Sequence, residues 1–477
     1  MNARRQPVDQ SSAPNLPLAE PLPENLSAVD VFSRLAHLPH TIFFDSASRE
    51  GELGRYSFVA TDPFHWFEAS ANDTNALAQL ESFWEKFPTV TQPDLPPFQG
   101  GIAGLFGYEL GRTLEQLPPP NTNDLPTPAL AVGAYDTVIA FDHDTNQHWI
   151  ISQGFPETDL AARLNHATAR IAQFKKWLSA TPQQFPQATA TTPLQDLAPQ
   201  HKVEFEGVTS NLSRDSYLQM IDTAVRYIHA GDIFQVNLAQ RLLAPAHDDS
   251  VQLYLRLRKQ NPAPYAGFLN LGDWQICSTS PECFLTLRQG QVETRPIKGT
   301  RGRSKLPEAD LFTGDDLQLS EKDRAENVMI VDLMRNDLSR VCTDDSVQVT
   351  QLCRLETYAY VKHLVSIVRG QLRTTASPFD LLRACFPGGS ITGAPKIRAM
   401  QIIAELEPTA RGPYCGSLGY LGFDGQMDSS ILIRTVTAGQ GWWQLPVGGG
   451  IVAQSTPPDE YQETWHKARG LLLATTK

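Results

Sequence analysis

Short runs of strand-forming residues recur through most of this chain, each closed by a turn signal within a few residues. They lie at 41–44, 56–59, 129–141, 148–152, 236–242, 265–271, 274–279, 283–287, 347–352, 364–368, 416–422, 431–438 and 442–445. Several connections have hairpin length, such as Asp142-His143-Asp144-Thr145-Asn146, and a connection that short joins antiparallel neighbours. Helical periodicity is confined to fewer segments: 76–87, 160–178, 213–229, 322–337, 379–385, 395–405 and 458–474. Ser213 suits an N-cap and Gly231 a helix end. Strands outnumber helices, so the fold expected is α+β, with antiparallel sheets packed together and helices outside.

The composition is that of a globular enzyme-sized chain: 477 residues, 41% hydrophobic and 19% charged. Net charge is −12 and no basic stripe appears, which argues against nucleic acid as a partner. No run is long enough to span a bilayer, and residues 1–26 lack the apolar segment of a secretory signal. Cys277, Cys283, Cys342, Cys353, Cys385 and Cys415 form no C-x-x-C pair and fit a reducing compartment, so a cytoplasmic protein with no membrane contact is expected. Composition divides the chain into a disordered tail at 1–25, an amino-terminal domain at 26–180, a Thr/Pro/Gln/Ala-rich linker at 181–205 and a second domain at 206–475.

The second domain carries the chemistry. Arg295-Pro296-Ile297-Lys298-Gly299-Thr300-Arg301 follows a strand-like run and reads as a lysine presented on a turn shaped by proline and glycine. An ordinary lysine is protonated, whereas burial or neighbouring cations favour the neutral, nucleophilic amine. Glu282 in Ser280-Pro281-Glu282 could act as a general acid. Asp323 and Glu326 sit three apart on one helical face, and so do Glu460 and Glu463 near the carboxy terminus. If those helices face each other, four carboxylates meet and call for a cation. Oxygen ligands without histidine or cysteine point to Mg²⁺. The glycine-rich stretch 386–396 and Gly448-Gly449-Gly450 are candidate anion grips built of backbone amides, with Arg434 and Tyr414 as added donors. Taken singly, each of these is equally a capped helix or a tight turn.

Taken together, the motifs resemble the chorismate-utilising enzymes. The resemblance covers about 206–469: SPE, PIKGT, RAENVMIVDLMRNDL, HLVS, PGGSITGAPK, GSLGYLG, IRT, GGG and EYQET, in one order. A looser match, in GRYSFVATDP and GLFGYEL, extends it into the first domain. The resemblance implies two large antiparallel sheets packed as a sandwich with helices outside, and a catalytic domain that binds chorismate. It implies Mg²⁺ at Asp323, Glu326, Glu460 and Glu463, with Asp323 standing where several members carry the longer glutamate. By the same resemblance, Tyr414, Arg434, Lys467 and the backbone at Gly448, Gly449 and Gly450 hold the substrate, His363 and Ser390 neighbour its ring, and Glu282 is the acid at the departing C4 hydroxyl. Asp45, Ser46, Arg55, Tyr56 and Ser57 are where a tryptophan pocket of the relatives would lie.

Lys298 selects a branch. Anthranilate synthases carry alanine there, as PIAGT, whereas PIKGT is similar to the branch that aminates chorismate at C4. That branch uses a covalent lysine adduct and serves 4-aminobenzoate and folate synthesis. The resemblance thus implies chorismate and ammonia as substrates. Cys415 lies in no G-x-C-x-G turn, so the ammonia is expected from a separate glutamine amidotransferase subunit. The competing readings are anthranilate synthesis, isochorismate or salicylate synthesis with Lys298 as a base, and a silent binding subunit.

Overall fold

The computed structural model describes residues 16–49, 53–185, 191–303, 307–357 and 361–476. Among these, the strands form two antiparallel sheets, one of 13 strands and one of 10. The larger runs from Leu18–Pro21 through Ile42–Asp45, Tyr265–Asn270, Trp274–Ser280 and the glycine strand Trp442–Ile451 to the long inner strand Gln235–Pro245 and beyond. The smaller runs from the lysine strand Ile297–Gly302 through Val361–Gln371, Cys283–Arg288 and Ser417–Gly422 to Gly101–Phe106 and His65–Ala69.

The sheets meet face to face. Ile42, Phe58 and Val138 of the larger pack with Ala103, Leu105 and Leu418 of the smaller. Tyr420 and Phe98 stack in the same layer, their centroids 4.4 Å apart. Helices Ala28–Leu35, Leu160–Ser179, Ser250–Gln260 and Pro457–Thr475 cover the outer face of the larger sheet. Helices Ala76–Trp84, Glu321–Ser339, Pro378–Cys385 and Lys396–Leu406 cover the smaller. The α+β sandwich expected from the strand pattern is the fold observed.

The helix Glu321–Ser339 shows why the sequence folds this way locally. The Ser320 hydroxyl accepts from the Asp323 N–H at 3.3 Å and caps the first turn. Ile330, Met334 and Leu338 recur every four residues and are buried against the smaller sheet with Asn327 and Val331. The opposite end of the same stripe leaves Asp323 and Glu326 at the sheet edge where Lys298 emerges.

Four expectations need correction. The run 129–141 is two strands, Leu130–Tyr135 in the smaller sheet and Thr137–Asp142 in the larger. They change sheets at Asp136, whose buried carboxylate is held by Thr137, Ser152 and Arg170. The run 431–438 likewise breaks at Arg434, between Met427–Ile431 and Thr435–Gly439. The tail expected at 1–25 contains the strand Leu18–Pro21, which pairs with Gln147–Ser152. Composition cannot show that pairing, because backbone groups make it. The PIKGT segment is strand rather than turn: Gln291–Arg295 and Ile297–Gly302 both pair with Val361–Gln371, and the register slips between Lys298 and Thr300. Proline sits where the ladder is interrupted and glycine in a bulge at φ +66°, the two places a strand tolerates them.

Both sheets also cross the expected boundary between 26–180 and 206–475. Ile42–Asp45 pairs with Tyr265–Asn270, and Gly101–Phe106 pairs with Ser417–Gly422. A buried ion pair adds to this joint. Asp124 accepts two hydrogen bonds from Arg241 of the inner strand, at 2.7 and 2.6 Å. Removing one partner strands a buried charge. Asp124→Asn is therefore expected to cost about 3–5 kcal/mol of unfolding free energy, read from the denaturant midpoint and slope, and Asp124→Leu with Arg241→Met to recover much of it.

Candidate active site

Lys298 projects from the bulged lysine strand and donates to the Ser390 carbonyl at 3.0 Å. Ser390 lies in a single turn, Gly389–Ile391, which the glycine-rich stretch forms on its way to the helix Lys396–Leu406. The Ser390 hydroxyl in turn bonds the Glu282 carboxyl, which sits at the end of the strand Trp274–Ser280 and is 4% exposed. Burial pushes that carboxyl above the usual range, against the Ser390 hydrogen bond, the Lys298 charge and the Ile297 N–H. A carboxyl so placed holds a proton more readily than a surface glutamate, as a general acid requires. Gly299 makes the bulge possible. A Cβ there would meet the Asp323 carboxyl carbon at 3.0 Å and Leu317 at 2.7 Å.

The two acidic helices do face each other, but their carboxylates do not share one centre. Asp323 pairs with Arg301 at 3.1 Å. Glu460 accepts from Ser455 at 2.6 Å and from Lys322 at 3.4 Å, so Lys322 bridges the helices. Glu463 pairs with Lys467 at 2.6 Å. Glu326 is raised by burial, with Asp323 and Glu463 adding to the effect and Lys298 and Lys322 opposing it. Burial acts the same way on Glu463, yet Lys467, Lys322 and Lys298 hold it below the ordinary value. Among the described residues no three histidine, cysteine or carboxylate side chains converge as a ready metal cage. The cations of Lys298, Lys322, Lys467 and Arg301 hold the acids apart instead. The hard oxygen donors still suit a magnesium ion, and Gly449 leaves a cradle among them. A Cβ at Gly449 would sit 3.4 Å from both Glu460 Oε2 and Glu463 Oε1 and 3.5 Å from Lys467 Nζ.

Arg434 and the glycine strand form the facing wall. Arg434 adopts φ +52°, a left-handed conformation that is rare for a side chain this bulky and marks a site where backbone strain is held. Its guanidinium donates to the Lys467 carbonyl at 3.1 Å, and its charge is felt by Tyr414 and His363. The triglycine is extended strand rather than a nest. Gly448, Gly449 and Gly450 pair with Ala239, Leu238 and Asn237. Lys467 reaches the Gly448 carbonyl at 2.9 Å, on the edge turned away from the inner strand. Glycine is required because a Cβ at Gly448 would lie 2.3 Å from the Leu238 carbonyl oxygen. His363 shares a hydrogen bond of 2.9 Å between its Nδ1 and Thr300, and stands beside Gly299.

The structure thus brings together Lys298, Glu282, Ser390, His363, Tyr414, Arg434, Lys467, the triglycine and the four acids. Sequence reasoning missed Lys322, Ser455 and Thr300; the signal for Lys322 was its place one residue before Asp323. Of the two arginines flanking the lysine strand, Arg295 pairs with Glu356 at 2.9 Å, and Arg301 pairs with Asp316 and with the site acid Asp323.

Asp45, Ser46, Arg55 and Tyr56 line a different cavity of about 430 Å³ between the sheets, whose lining includes Arg295 but not Lys298. Ser57 stands behind it, accepting from the Ser46 N–H at 3.1 Å.

Residues 40–473 match the family described as chorismate binding enzyme. The chain belongs to that family. Aminodeoxychorismate synthase component 1 of Klebsiella aerogenes is 45% identical over 456 residues, 92% of this chain and 95% of the relative. The component 1 of the same name from Salmonella typhimurium is 40% identical over 460 residues, 94% and 95% of the two chains. Among solved structures, anthranilate synthase component I of Streptococcus pneumoniae superposes with a TM-score of 0.74 at 31% identity, covering 87% of this chain and 92% of that one. The chorismate binding enzymes therefore supply the frame in which Lys298 and its neighbours are read.

Burial, then the Arg434 charge, lowers His363 to about 4, so it is a neutral imidazole near pH 7. The unfolded chain takes up that proton first, near pH 6.5, so this group's contribution to stability is present above 6.5 and lost as pH falls toward 4. His363→Gln is expected to lose less stability than the parent between pH 6.5 and 4, read as thermal midpoints across that range.

Proposed function

We propose that this chain aminates chorismate at C4 with ammonia, giving 4-amino-4-deoxychorismate, as the component 1 of an aminodeoxychorismate synthase. The observation that carries this reading is Lys298, whose amine lies on Ser390 beside the buried acid Glu282, in a chain 40–45% identical to proteins of that name. The Lys298 amine attacks C2 and forms a C–N bond. The ring double bonds shift and the C4–O bond breaks, with Glu282 giving its proton to the departing hydroxyl, which leaves as water. Ammonia then bonds C4, the double bonds shift back, and the C2–N bond breaks to free the lysine. Both displacements leave the enolpyruvyl group in place, which separates this reaction from anthranilate formation.

Arg434, Tyr414 and the edge of the glycine strand take the substrate carboxylate on the enolpyruvyl side, and His363, neutral and held by Thr300, borders the ring. Glu326, Glu460, Glu463 and, through water because aspartate is one methylene shorter, Asp323 would hold a magnesium ion, which would supply positive charge against the substrate's anionic oxygens. Ammonia comes from a separate glutamine amidotransferase component, since all six cysteines are buried and burial pushes the Cys415 thiol up to about 12. Six buried free thiols also suit the cytoplasm. The cavity at Asp45, Ser46, Arg55 and Tyr56 is of a size to take an amino acid such as tryptophan.

Three measurements test the reading. Chorismate, Mg²⁺ and ammonium salt should yield a product that retains the enolpyruvyl mass; anthranilate with released pyruvate would overturn the assignment. Without ammonia, an adduct is expected on the Lys298 peptide after a quench, and Lys298→Ala should abolish it together with amination. Glu326→Gln and Glu463→Gln should each lower activity by about a hundred-fold or more; Glu326→Gln should cost little stability, because burial and its acidic neighbours already disfavour its charge, whereas Glu463→Gln also breaks the Lys467 pair. Full activity of both variants at low Mg²⁺ would remove the metal site from the proposal.

A further inference from the structure

The segment after helix Lys396–Leu406 carries a buried ion pair that meets the groups just assigned to substrate only at Tyr414. Arg411 donates to Glu407 at 2.9 and 2.6 Å. Its remaining donors reach two backbone carbonyls, Ile391 at 3.1 Å and Asn237 at 2.8 Å. Ile391 directly follows Ser390, the residue that receives Lys298 and bonds Glu282. Asn237 is the ladder partner of Gly450, and Glu407 accepts from the N–H of Ala239, the partner of Gly448. The Arg411 guanidinium also lies 5.8 Å from the Tyr414 ring centroid and 4.6 Å from that of Tyr108. Its own N–H is fixed by Glu109, from the first half of the chain, at 2.9 Å.

We propose that Arg411 is a positioning residue for the reaction: one planar guanidinium, anchored by Glu407, fixes the Ser390 turn, the glycine strand and Tyr414 relative to one another, and so sets where the Lys298 amine points. The geometry favours this over a purely stabilising pair. A carboxylate alone would satisfy two of the guanidinium's donors, yet the others reach separate walls of the site. Arginine's rigid fork can hold several acceptors in fixed relation, which a lysine's single ammonium cannot do. Misplacing a reacting group by about 1 Å costs on the order of a hundred-fold in rate. The proposal rests on the amination reading for its kinetic consequence, but the geometry of Lys298 can be read without any turnover.

Removing Arg411 alone leaves Glu407 charged and buried, so the informative variant neutralises both. Glu407→Gln with Arg411→Gln is compared with the parent in the full chain by three readouts. These are the thermal midpoint, kcat and KM for chorismate with Mg²⁺ and ammonium salt, and the rate at which acetic anhydride acylates Lys298 relative to Lys322 and Lys467, by peptide mapping. The expected result is a folded variant whose kcat falls by about ten-fold to a hundred-fold, more than KM rises, and whose Lys298 acylation changes by about three-fold or more while Lys322 and Lys467 do not change. Unchanged Lys298 acylation in a folded variant overturns the proposal. A parent that makes no aminated product defeats the amination reading, and the acylation comparison still decides the positioning role. Should the double variant fail to fold, Arg411→Lys keeps the charge opposite Glu407 but not the fork; the same loss of kcat and shift in acylation are expected, and parental values of both overturn the proposal.

Discussion

The site is built on a standoff between closely set carboxylates and the cations among them. Glu282, Glu326, Glu460 and Glu463 come from three segments of the chain, Glu460 and Glu463 sharing one helix, and left bare they would repel one another. Lys298, Lys322 and Lys467 lie among them, and Arg301 pairs with Asp323 beside them. Each lysine thereby holds two elements together: Lys322 ties helix to helix, Lys467 ties the carboxy-terminal helix to the glycine strand, and Lys298 ties its own strand to the Ser390 turn. A substrate that is itself a dianion enters a cleft whose charges are already balanced.

Rigid surroundings make that exchange specific. The two faces of the cleft come from different sheets, the lysine strand from the smaller and the glycine strand from the larger. The glycines permit the close approach: at Gly299 the strand comes up against Asp323, and at Gly449 it leaves open the space between two acids and a lysine. Buried pairs such as Asp124–Arg241 and Glu407–Arg411 tie the core together elsewhere, while the lysines and acids of the site gather where the sheets' ends and two helix starts coincide.

Much of this was legible in the sequence, for physical reasons that can be named. The helix 321–339 announces itself through a serine cap and a four-residue apolar repeat, so the spacing of Asp323 and Glu326 could be converted into a shared face. The motif order identified the chemistry and brought His363 and Arg434 into the site. Other features are not written in residue type. Nothing local marks Arg434 for a left-handed backbone or Asp136 for a change of sheet, since tertiary contacts impose both. Proline and glycine around Lys298 read equally as a turn or as an interrupted ladder with a bulge, and only the partner strand Val361–Gln371 decides between them. The pairing of each acid with its cation was out of reach for the same reason: the spacing of residues along a helix says nothing about what stands opposite.

The interleaving of the two halves has a consequence for how the chain is made. Ile42–Asp45 pairs early with Tyr56–Ala60 but gains its second neighbour only when Tyr265–Asn270 has been synthesised, and Gly101–Phe106, already beside Leu130–Tyr135, waits about three hundred residues for Ser417–Gly422. At ribosomal rates of about 5–20 residues per second, the first strands spend tens of seconds with unpaired edges and no complete core. Contacts this distant in sequence are also intrinsically slow to form once the chain is free. The nascent amino-terminal half is thus a natural client for chaperones. A gene truncated after residue 180 should give an aggregating fragment, whereas two separately expressed halves would have to find each other as strands, completing the sheets between them.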